Sequence, residues 1–279
     1  MYPFIHLGPL TLGTYGLMVA AGLLCGFAIL RADLVRRGLH ADAETIIGVT
    51  GLAGLAGARL YHLLEDPAEF FAHPLPLLFS TSGFAWYGAV IGGFVALVLL
   101  ARHYRMPMLL MLDVCSPAAA LGYGVGRIGC LLSGDGDYGI PTSLPWGMSF
   151  PNGLVPTTDR VHPTPIYEFL VALVIAHFLW RVGGRAVLLK YAAGRVFAWY
   201  LIWTGAVRFL IEFIRINPRS FFGMTNAQAA SLVGMAVGVL LLVMFPARGS
   251  AESVPVREPV ARKGRMKTGG RAGAKASTR

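Results

Sequence analysis

Charged residues are scarce in this sequence. Asp, Glu, Lys and Arg make up 14% of its 279 residues, whereas hydrophobic residues make up 55%. The mean hydropathy is +0.61. A water-soluble globular protein needs more polar side chains than this to cover its surface. The composition therefore excludes an ordinary soluble domain and indicates an integral membrane protein.

Cysteine is also rare, and basic residues are absent from the start of the chain. The three cysteines, Cys25, Cys115 and Cys130, lie in apolar segments without paired spacing, which excludes a disulfide framework and a zinc site. The first ten residues contain no Lys or Arg, and no small-residue cleavage pattern follows the first apolar run. This is not typical of a removable signal peptide, so we expect the first helix to be retained.

Apolar windows of about twenty residues, the length that a bilayer-spanning helix needs, recur along the chain. We predict an all-α integral membrane protein with seven transmembrane helices, near residues 11–31, 45–65, 84–102, 110–132, 165–182, 195–215 and 226–246. Basic residues follow the first, third, fifth and seventh helices, whereas residues 65–84 contain no Lys or Arg. The positive-inside rule then predicts an outside N-terminus and a cytoplasmic C-terminus.

The net charge of +10 is concentrated at the C-terminal end of the chain. Residues 248–279 hold nine Lys or Arg and two Glu, a local net charge of +7, and few side chains that could pack in a core. We therefore predict a transmembrane catalytic domain over residues 1–247 and a disordered basic cytoplasmic tail over residues 248–279. Such a tail favours contact with anionic membrane lipid over nucleic acid.

Charged residues inside the predicted spans need a specific explanation, because each costs a few kcal/mol in lipid. Six positions qualify: Arg59, Asp113, Arg127, Glu168, Arg208 and Glu212. All except Asp113 fall in the outer half of the membrane, so we expect them to converge on one site. The alternative for Arg208 and Glu212, which are four residues apart on one helix, is a purely structural ion pair.

Two motifs flank these charges. The segment HPTPIYEF, residues 162–169, places prolines where the fifth helix begins, which fixes the geometry of its first turn. Tyr167 and Glu168 are neighbours in that helix and cannot share a face, so at most one of them points toward a shared centre. The segment SGDGDYG, residues 133–139, has glycines that permit sharp turns and thereby return Asp135, Asp137 and Tyr138 toward the helix of Arg127. It has too few oxygen ligands for a calcium loop and lacks the Lys of a phosphate-binding P-loop.

A set of arginines with acidic and tyrosyl partners at the outer leaflet suits a lipid phosphate, because guanidinium groups bind phosphate oxygens in a bidentate fork. The motifs also match a known family in order and spacing: GPLTLGTYGLMVAAG, GARLYHLL, GVGRIG, HPTPIYE and GAVRFLIEFIR. Over nearly the whole chain up to about residue 246, the sequence resembles the bacterial prolipoprotein diacylglyceryl transferases.

The resemblance implies a multi-pass enzyme of the bacterial inner membrane without a cofactor or metal. Such an enzyme moves a diacylglyceryl group from phosphatidylglycerol to the lipobox cysteine of a prolipoprotein and releases glycerol 1-phosphate. It implies that Arg127 and Arg208 lie at the reacting phosphate and that Tyr15 lies near the lipid head group. The substrate-binding residues that we predict are Arg127, Arg208, Tyr15, Arg59, Asp135, Asp137, Tyr138 and Glu212.

The sequence departs from the best-known branch of that family at two places. Cys130, Leu131 and SGDGD stand where that branch has Asn, Phe and an Asn-Gly-Glu triplet, and Tyr87 stands where it has a His that is often proposed as the base. The base that activates the substrate thiol therefore stays open among Glu168, Asp135 or Asp137, His162 and Tyr87. A further alternative is that nearby charges lower the pKa of the thiol itself.

Two other functions also stay open. A diverged paralogue using another acceptor fits the departures around Cys130. A non-enzymatic lipid or solute transporter could also hold arginines in a membrane cavity, but it should show internal repeats or helices broken at the midplane, and neither is visible in the sequence.

Overall fold

A computed structural model of the protein describes residues 2–72, 74–78, 83, 85–188, 192–220 and 222–245. Its helices are α1 (Thr14–Arg36), α2 (Ala43–Glu65), α3 (Pro67–Ala72), α4 (Pro74–Leu78), α5 (Trp86–His103), α6 (Met108–Ser133), α7 (Thr164–Leu188), α8 (Arg195–Ile211) and α9 (Asn226–Met244). Two short antiparallel hairpins, β1 (Phe4–Leu7) with β2 (Leu10–Gly13) and β3 (Met148–Phe150) with β4 (Thr157–Val161), lie outside the helices.

Within these described ranges, six helices are long and apolar enough to cross a membrane, namely α1, α2, α5, α6, α7 and α9. The chain is an all-α integral membrane protein. Each of the seven predicted spans corresponds to a helix. The helix that is not among the six above is α8, which has 17 residues. The total of seven crossings and their orientation stay predictions, and the predicted tail with its boundary at residue 247 lies outside the described residues.

Four predicted helix ends differ from the structure by three residues or more, and two of these differences have identifiable reasons. The first helix begins at Thr14 rather than at residue 11, because Gly8 (φ +62°) turns the chain and lets Leu10–Gly13 pair with Phe4–Leu7. The sixth predicted helix ends at Ile211 rather than at residue 215. Beyond it, Arg215 forms a β-bridge with Gly139, and this pairing carries Arg215 away from the helix stripe on which the sequence placed it.

The predicted loop after α6 has its own small core. Tyr138 stacks on Phe150 with ring centroids 5.1 Å apart, and both are buried together with Val161. The β3–β4 hairpin supplies the last two of these residues and thereby holds the loop against the end of α6. We call this end of the helix bundle the Arg127 end, and the opposite one, with Asp113, the Asp113 end.

Helix α6 packs against α1 and α7 at close range, and glycines make this approach possible. A Cβ atom at Gly22 of α1 would lie 2.9 Å from the carbonyl oxygen of Gly122 in α6, and one at Gly124 would lie 2.8 Å from the Cβ of Ala172 in α7. These glycines serve helix packing, because small residues let membrane helices approach closely. Charges on α6 are consequently held at fixed distances from both neighbouring helices.

Asp113 links α6 to the start of α8. The N-cap of α8, Gly194, has no side chain to accept the first N–H groups. Asp113, only 3% exposed, accepts the N–H of Gly194 at Oδ2 and the N–H of Phe197 at Oδ1, both at 2.8 Å. A carboxylate at a helix N-terminus also interacts favourably with the helix dipole. Asp113, the one of the six charged residues that the sequence did not place in the outer half of the membrane, therefore caps α8 from α6.

We expect Asp113→Ala to lower the free energy of unfolding by about 1–3 kcal/mol, because two buried N–H groups lose their acceptor. Thermal unfolding of the purified protein in detergent measures this loss. Asp159→Ala is the matched control, since Asp159 is exposed on β4, and we expect a change below about 0.5 kcal/mol. Equal stability of the Asp113 variant and the control contradicts the capping role.

Candidate active site

Glu168, near the start of α7, is the centre of a polar cluster at the Arg127 end of the bundle. Its side chain is 1% exposed and accepts a hydrogen bond of 2.6 Å from the hydroxyl of Tyr123 in α6. Arg127 approaches Oε2 with its Nε at 3.3 Å, and Arg208 of α8 approaches Oε1 with its Nη1 at 3.2 Å. The two predicted arginines therefore meet at the two oxygens of one carboxylate.

Asp137 provides the second carboxylate of the cluster. Gly134 and Gly136, both with positive φ, turn the chain back after α6, as the sequence predicts for this loop. The side chain of Asp137 consequently reaches Arg127 with one oxygen and Arg215 with the other. The predicted return of the SGDGDYG segment toward Arg127 is confirmed for this residue.

Glu212, immediately after α8, is the third carboxylate. Its Oε2 lies 3.3 Å from Nη2 of Arg208 and 4.0 Å from Nε of Arg215, and the amide of Asn217 donates to its Oε1. The ion pair of Arg208 with Glu212 is thus present, but Arg208 also binds Glu168. We call this set the arginine–carboxylate cluster: Arg127, Arg208, Arg215, Asp137, Glu168 and Glu212.

The cluster combines three guanidinium groups with three carboxylates, so its formal charges balance. Charges inside a membrane protein are tolerated where they pair with one another and make additional hydrogen bonds, as Glu168 and Glu212 do here. Removal of a single partner leaves an uncompensated charge in a poorly hydrated site. The cluster is therefore neutral as a whole, and its carboxylates hold the three guanidinium groups close together.

Among the described residues, two guanidinium nitrogens of the cluster have neither a hydrogen bond nor an ion-pair contact and could bind an additional anion. Within the part of the chain that the structure describes, Nη2 of Arg127 and Nε of Arg208 make no hydrogen bond. The side chain of Arg208 is 26% exposed and that of Arg127 is 13% exposed, so both are accessible from outside the protein. A phosphate group accepts such N–H groups as charge-assisted hydrogen bonds.

An apolar groove begins beside this cluster. It has a volume of about 300 Å³, and residues of α1, α2, α5 and α6 line it. One end lies at Tyr123 and Gly126, one turn or less from Arg127, and the other extends among Leu30, Ile46 and Cys115. The arrangement places guanidinium groups next to a surface that suits a hydrocarbon chain.

The sequence matches a known family over most of its length. The model of the family described as prolipoprotein diacylglyceryl transferase covers residues 3–244. The chain belongs to the prolipoprotein diacylglyceryl transferase family. Two similar proteins carry the name phosphatidylglycerol–prolipoprotein diacylglyceryl transferase. The one from Clostridium tetani is 34% identical over 81% of this chain and 90% of its own length, and the one from Geobacter sulfurreducens is 35% identical over 88% and 95%.

Other candidate residues of this family member lie apart from the cluster. Arg59 donates to the carbonyl of Gly83 at 2.8 Å and so lies against the segment before α5. Tyr87 is 54% exposed at the start of α5, where its ring lies 6.3 Å from that of Tyr61 and 5.3 Å from that of Trp86. The structure does not bring either residue into hydrogen-bonding contact with Glu168.

His162 and its neighbour Tyr167 form a separate group. The hydroxyl of Tyr167 lies 3.2 Å from Nδ1 of His162 and accepts a hydrogen bond of 2.8 Å from Trp146. Since Glu168 points into the cluster, the expectation that only one of Tyr167 and Glu168 faces the shared centre is confirmed. His162 nevertheless stays near the site, because its backbone pairs with Gly139 and Ile140 in the loop that carries Asp137.

The three further candidates, Tyr15, Tyr138 and Asp135, have different surroundings. The ring of Tyr15 packs against α6 at Gly129, where an added Cβ would lie 3.2 Å from its Cδ2, and Tyr15 is 49% exposed. Tyr138 is 7% exposed, and its hydroxyl donates to the carbonyl of Val155, so it serves the small core of the loop. Asp135 lies beside Cys130 and accepts the N–H of Asp137 at 3.2 Å.

Cys130, Asp135 and Asp137 lie close enough together to be tested as a metal site, since their ligand atoms are within 4.8 Å of one another. Guanidinium groups of Arg127 and Arg215 already hold both oxygens of Asp137. Two positive charges at this distance repel a cation, and the remaining donors are too few for a hard divalent ion. The arrangement does not fit a metal centre.

Three residues of the site are not among the site residues predicted from the sequence. Tyr123 gave no signal, because an aromatic residue in an apolar helix is ordinarily a packing residue. The sequence places Arg215 on nearly the same helix stripe as Arg208 and Glu212, but its contacts depend on the end of α8 and the β-bridge to Gly139. Asn217 follows α8 in an irregular segment, where sequence patterns do not specify side-chain contacts.

Proposed function

We propose that this transferase moves the diacylglyceryl group of phosphatidylglycerol to the lipobox cysteine thiol of prolipoproteins and releases glycerol 1-phosphate. The observation that carries the proposal is the juxtaposition of accessible N–H groups of Arg127 and Arg208 with the apolar groove beside Tyr123. A phospholipid has both a phosphate for the arginines and hydrocarbon chains for the groove. The family and the names of the related proteins support the same reaction.

In the proposed reaction, the thiolate attacks the glycerol carbon that bears the phosphate. The carbon–oxygen bond breaks, and the phosphate monoester departs with the bonding electrons. Arg127 and Arg208 hold the phosphate oxygens and stabilise the charge that grows on them, an electrostatic effect that is strongest where water is scarce. Glu168 bonds to both arginines, so it fixes the separation and the direction of the two guanidinium groups.

The apolar groove has a matching role for the lipid part of the donor. We propose that it takes an acyl chain, with the glycerol near Tyr123 and the phosphate at the arginines. The proposed location is the bacterial inner membrane, with the Arg127 end toward the outer leaflet, where a secreted prolipoprotein presents its signal peptide. The basic tail, residues 248–279, then lies on the cytoplasmic side beside anionic lipid.

The test uses the purified full-length protein in vesicles of phosphatidylglycerol with a synthetic lipobox peptide. We expect a peptide carrying a diacylglyceryl thioether, detected by mass spectrometry, together with an equal amount of glycerol 1-phosphate. Phosphatidylethanolamine vesicles and a peptide with Ser in place of the lipobox Cys are the controls. Phosphatidylglycerol cleavage without a thioether product indicates a different acceptor, and movement of intact lipid without cleavage indicates a transporter. Either result rejects the proposed function.

A further inference from the structure

We propose that Asp135 is the base that accepts the proton of the substrate thiol, an inference that rests on the proposed function and identifies one further residue of the same site. It follows from three observations: the engagement of the other carboxylates, the surroundings of Asp135, and the positions of the non-carboxylate candidates.

The three carboxylates of the arginine–carboxylate cluster already bind arginine. Both oxygens of Asp137 bind guanidinium groups, those of Arg127 and Arg215. Glu168 pairs with three arginines and accepts the hydroxyl of Tyr123, and Glu212 pairs with two arginines and accepts Asn217. A proton that binds to one of these carboxylates must compete with its arginine partners.

Asp135 has different surroundings. Among the described residues, no Lys or Arg lies within ion-pair distance of its carboxyl group, which is partly exposed. Its Oδ1 accepts the N–H of Asp137 at 3.2 Å. Its carboxyl group lies within 4.8 Å of the thiol of Cys130, so the α6 side chain closest to it is a thiol rather than a guanidinium.

Burial and the neighbouring charge of Asp137 make Asp135 more basic. The titratable and charged groups that face it are Cys130 and Arg127 of α6, Tyr15 of α1, and Asp137 in its own loop. Burial, and next to it the negative charge of Asp137, raise the pKa of Asp135 above the ordinary value of an aspartate. Burial also opposes the ionisation of Asp137, but Arg127 and Arg215 outweigh it and hold the pKa of Asp137 below that value.

Neighbouring carboxyl groups whose pKa values move apart commonly divide catalytic roles between them. Here Asp137 is the permanently ionised partner that orients Arg127, and Asp135 is the carboxylate that gains a proton more readily. A higher pKa makes Asp135 a better proton acceptor as long as the pH stays above it. The other two candidates lie in different surroundings, since Tyr87 lies among Tyr61 and Trp86, and Nδ1 of His162 faces Tyr167.

Asp135 acts in the substitution that forms the thioether bond. The thiol proton moves to Asp135, and the thiolate sulfur forms a bond with the glycerol carbon while the carbon–oxygen bond to the phosphate breaks. The electron pair of that bond leaves with the phosphate monoester, which Arg127 and Arg208 stabilise. Asp135 then releases its proton to the departing phosphate or to water and returns to the ionised form.

The test is the pH dependence of kcat/KM for Asp135→Asn, measured with phosphatidylglycerol vesicles and the lipobox peptide. Near pH 6.5 we expect a loss of about 100-fold, a common contribution of a general base. Because hydroxide ionises a thiol with a reference pKa near 8.5, the loss should shrink about tenfold for each pH unit toward that value. Asp135→Glu, which keeps a carboxylate, should recover most of the activity at pH 6.5.

The control variant is Asp159→Asn, an exposed aspartate of β4 outside the cluster, which should behave like the wild type at every pH. Thermal unfolding and phosphatidylglycerol binding of Asp135→Asn should match the wild type as well. A loss that is equal at all pH values, or that accompanies weaker lipid binding, overturns the assignment in favour of a structural or binding role. Full activity of Asp135→Asn overturns it too, whereas an inactive wild-type protein contradicts the proposed function itself.

Discussion

Replacement of Arg127 by lysine is expected to reduce kcat/KM by about 1,000-fold, although the positive charge is kept. Removal of one donor that stabilises developing negative charge commonly costs about 100-fold to 1,000-fold. Arg127 uses Nε for Tyr123 and Glu168, and Nη1 for Asp137, while Nη2 stays accessible. The compact ammonium group of lysine cannot bind these partners and a phosphate at the same time.

Arg208→Lys should have an effect of similar size, since Arg208 bridges Glu168 and Glu212 with its two Nη groups. Turnover of the lipobox peptide in phosphatidylglycerol vesicles measures both losses. Arg102→Lys is the matched control, because Arg102 is an exposed arginine in the last turn of α5, and it should keep the wild-type rate. If lysine at position 127 or 208 supports more than about a tenth of that rate, charge alone suffices and the bidentate geometry is not required.

The convergence of these arginines was predictable because of the medium around them. A charge in an apolar helix must meet a partner, and Arg127, Glu168, Arg208 and Glu212 had the same expected depth, so the sequence indicated one shared site. The glycines of the SGDGDYG segment indicated a return of the loop, and Asp137 does reach Arg127. An unpaired charge in the membrane is so unfavourable that few arrangements of the chain avoid it, and this one does.

Features that depend on small local preferences were not predictable. Arg215 joins the cluster because α8 ends at Ile211 and the following residues pair with Gly139, and helix ends are specified only weakly by sequence. Asp33 was also missed. It is fully buried and binds Arg36 and Arg37, while Arg36 lies 3.7 Å above the ring of Trp180 in α7. That contact joins two helix ends that are far apart in sequence.

Arg59 illustrates the limit of the depth argument. Its place late in α2 gave it the same expected depth as the site residues, but the structure places its guanidinium against Gly83. Equal depth in the membrane restricts only one coordinate, and the position of a helix around the bundle decides the rest. The cluster draws its arginines and carboxylates from α6, α7, α8 and the segments that follow α6 and α8.

Glu168→Gln is expected to lower the free energy of unfolding by about 3–5 kcal/mol, the usual cost of removing one partner from a buried ion pair. Glutamine keeps the shape of Glu168 and one acceptor for Tyr123, but its amide N–H groups face the N–H groups of an arginine. Three guanidinium groups then share two carboxylates. The midpoint of thermal unfolding in detergent should fall by roughly 10 °C, and activity should be lost with it.

Two further variants separate the charge of Glu168 from its position. Glu168→Asp keeps the charge and should retain most of the stability, while its shorter side chain releases Arg127 or Arg208 and lowers activity. Combining Glu168→Gln with Arg215→Gln restores equal numbers of positive and negative groups, so part of the lost stability should return, an interaction that a double-mutant cycle measures. Glu44→Gln, at an exposed site in the first turn of α2, is the control. If Glu168→Gln unfolds at the wild-type temperature, Glu168 carries no charge in the folded protein, and the charge balance that explains the cluster is wrong.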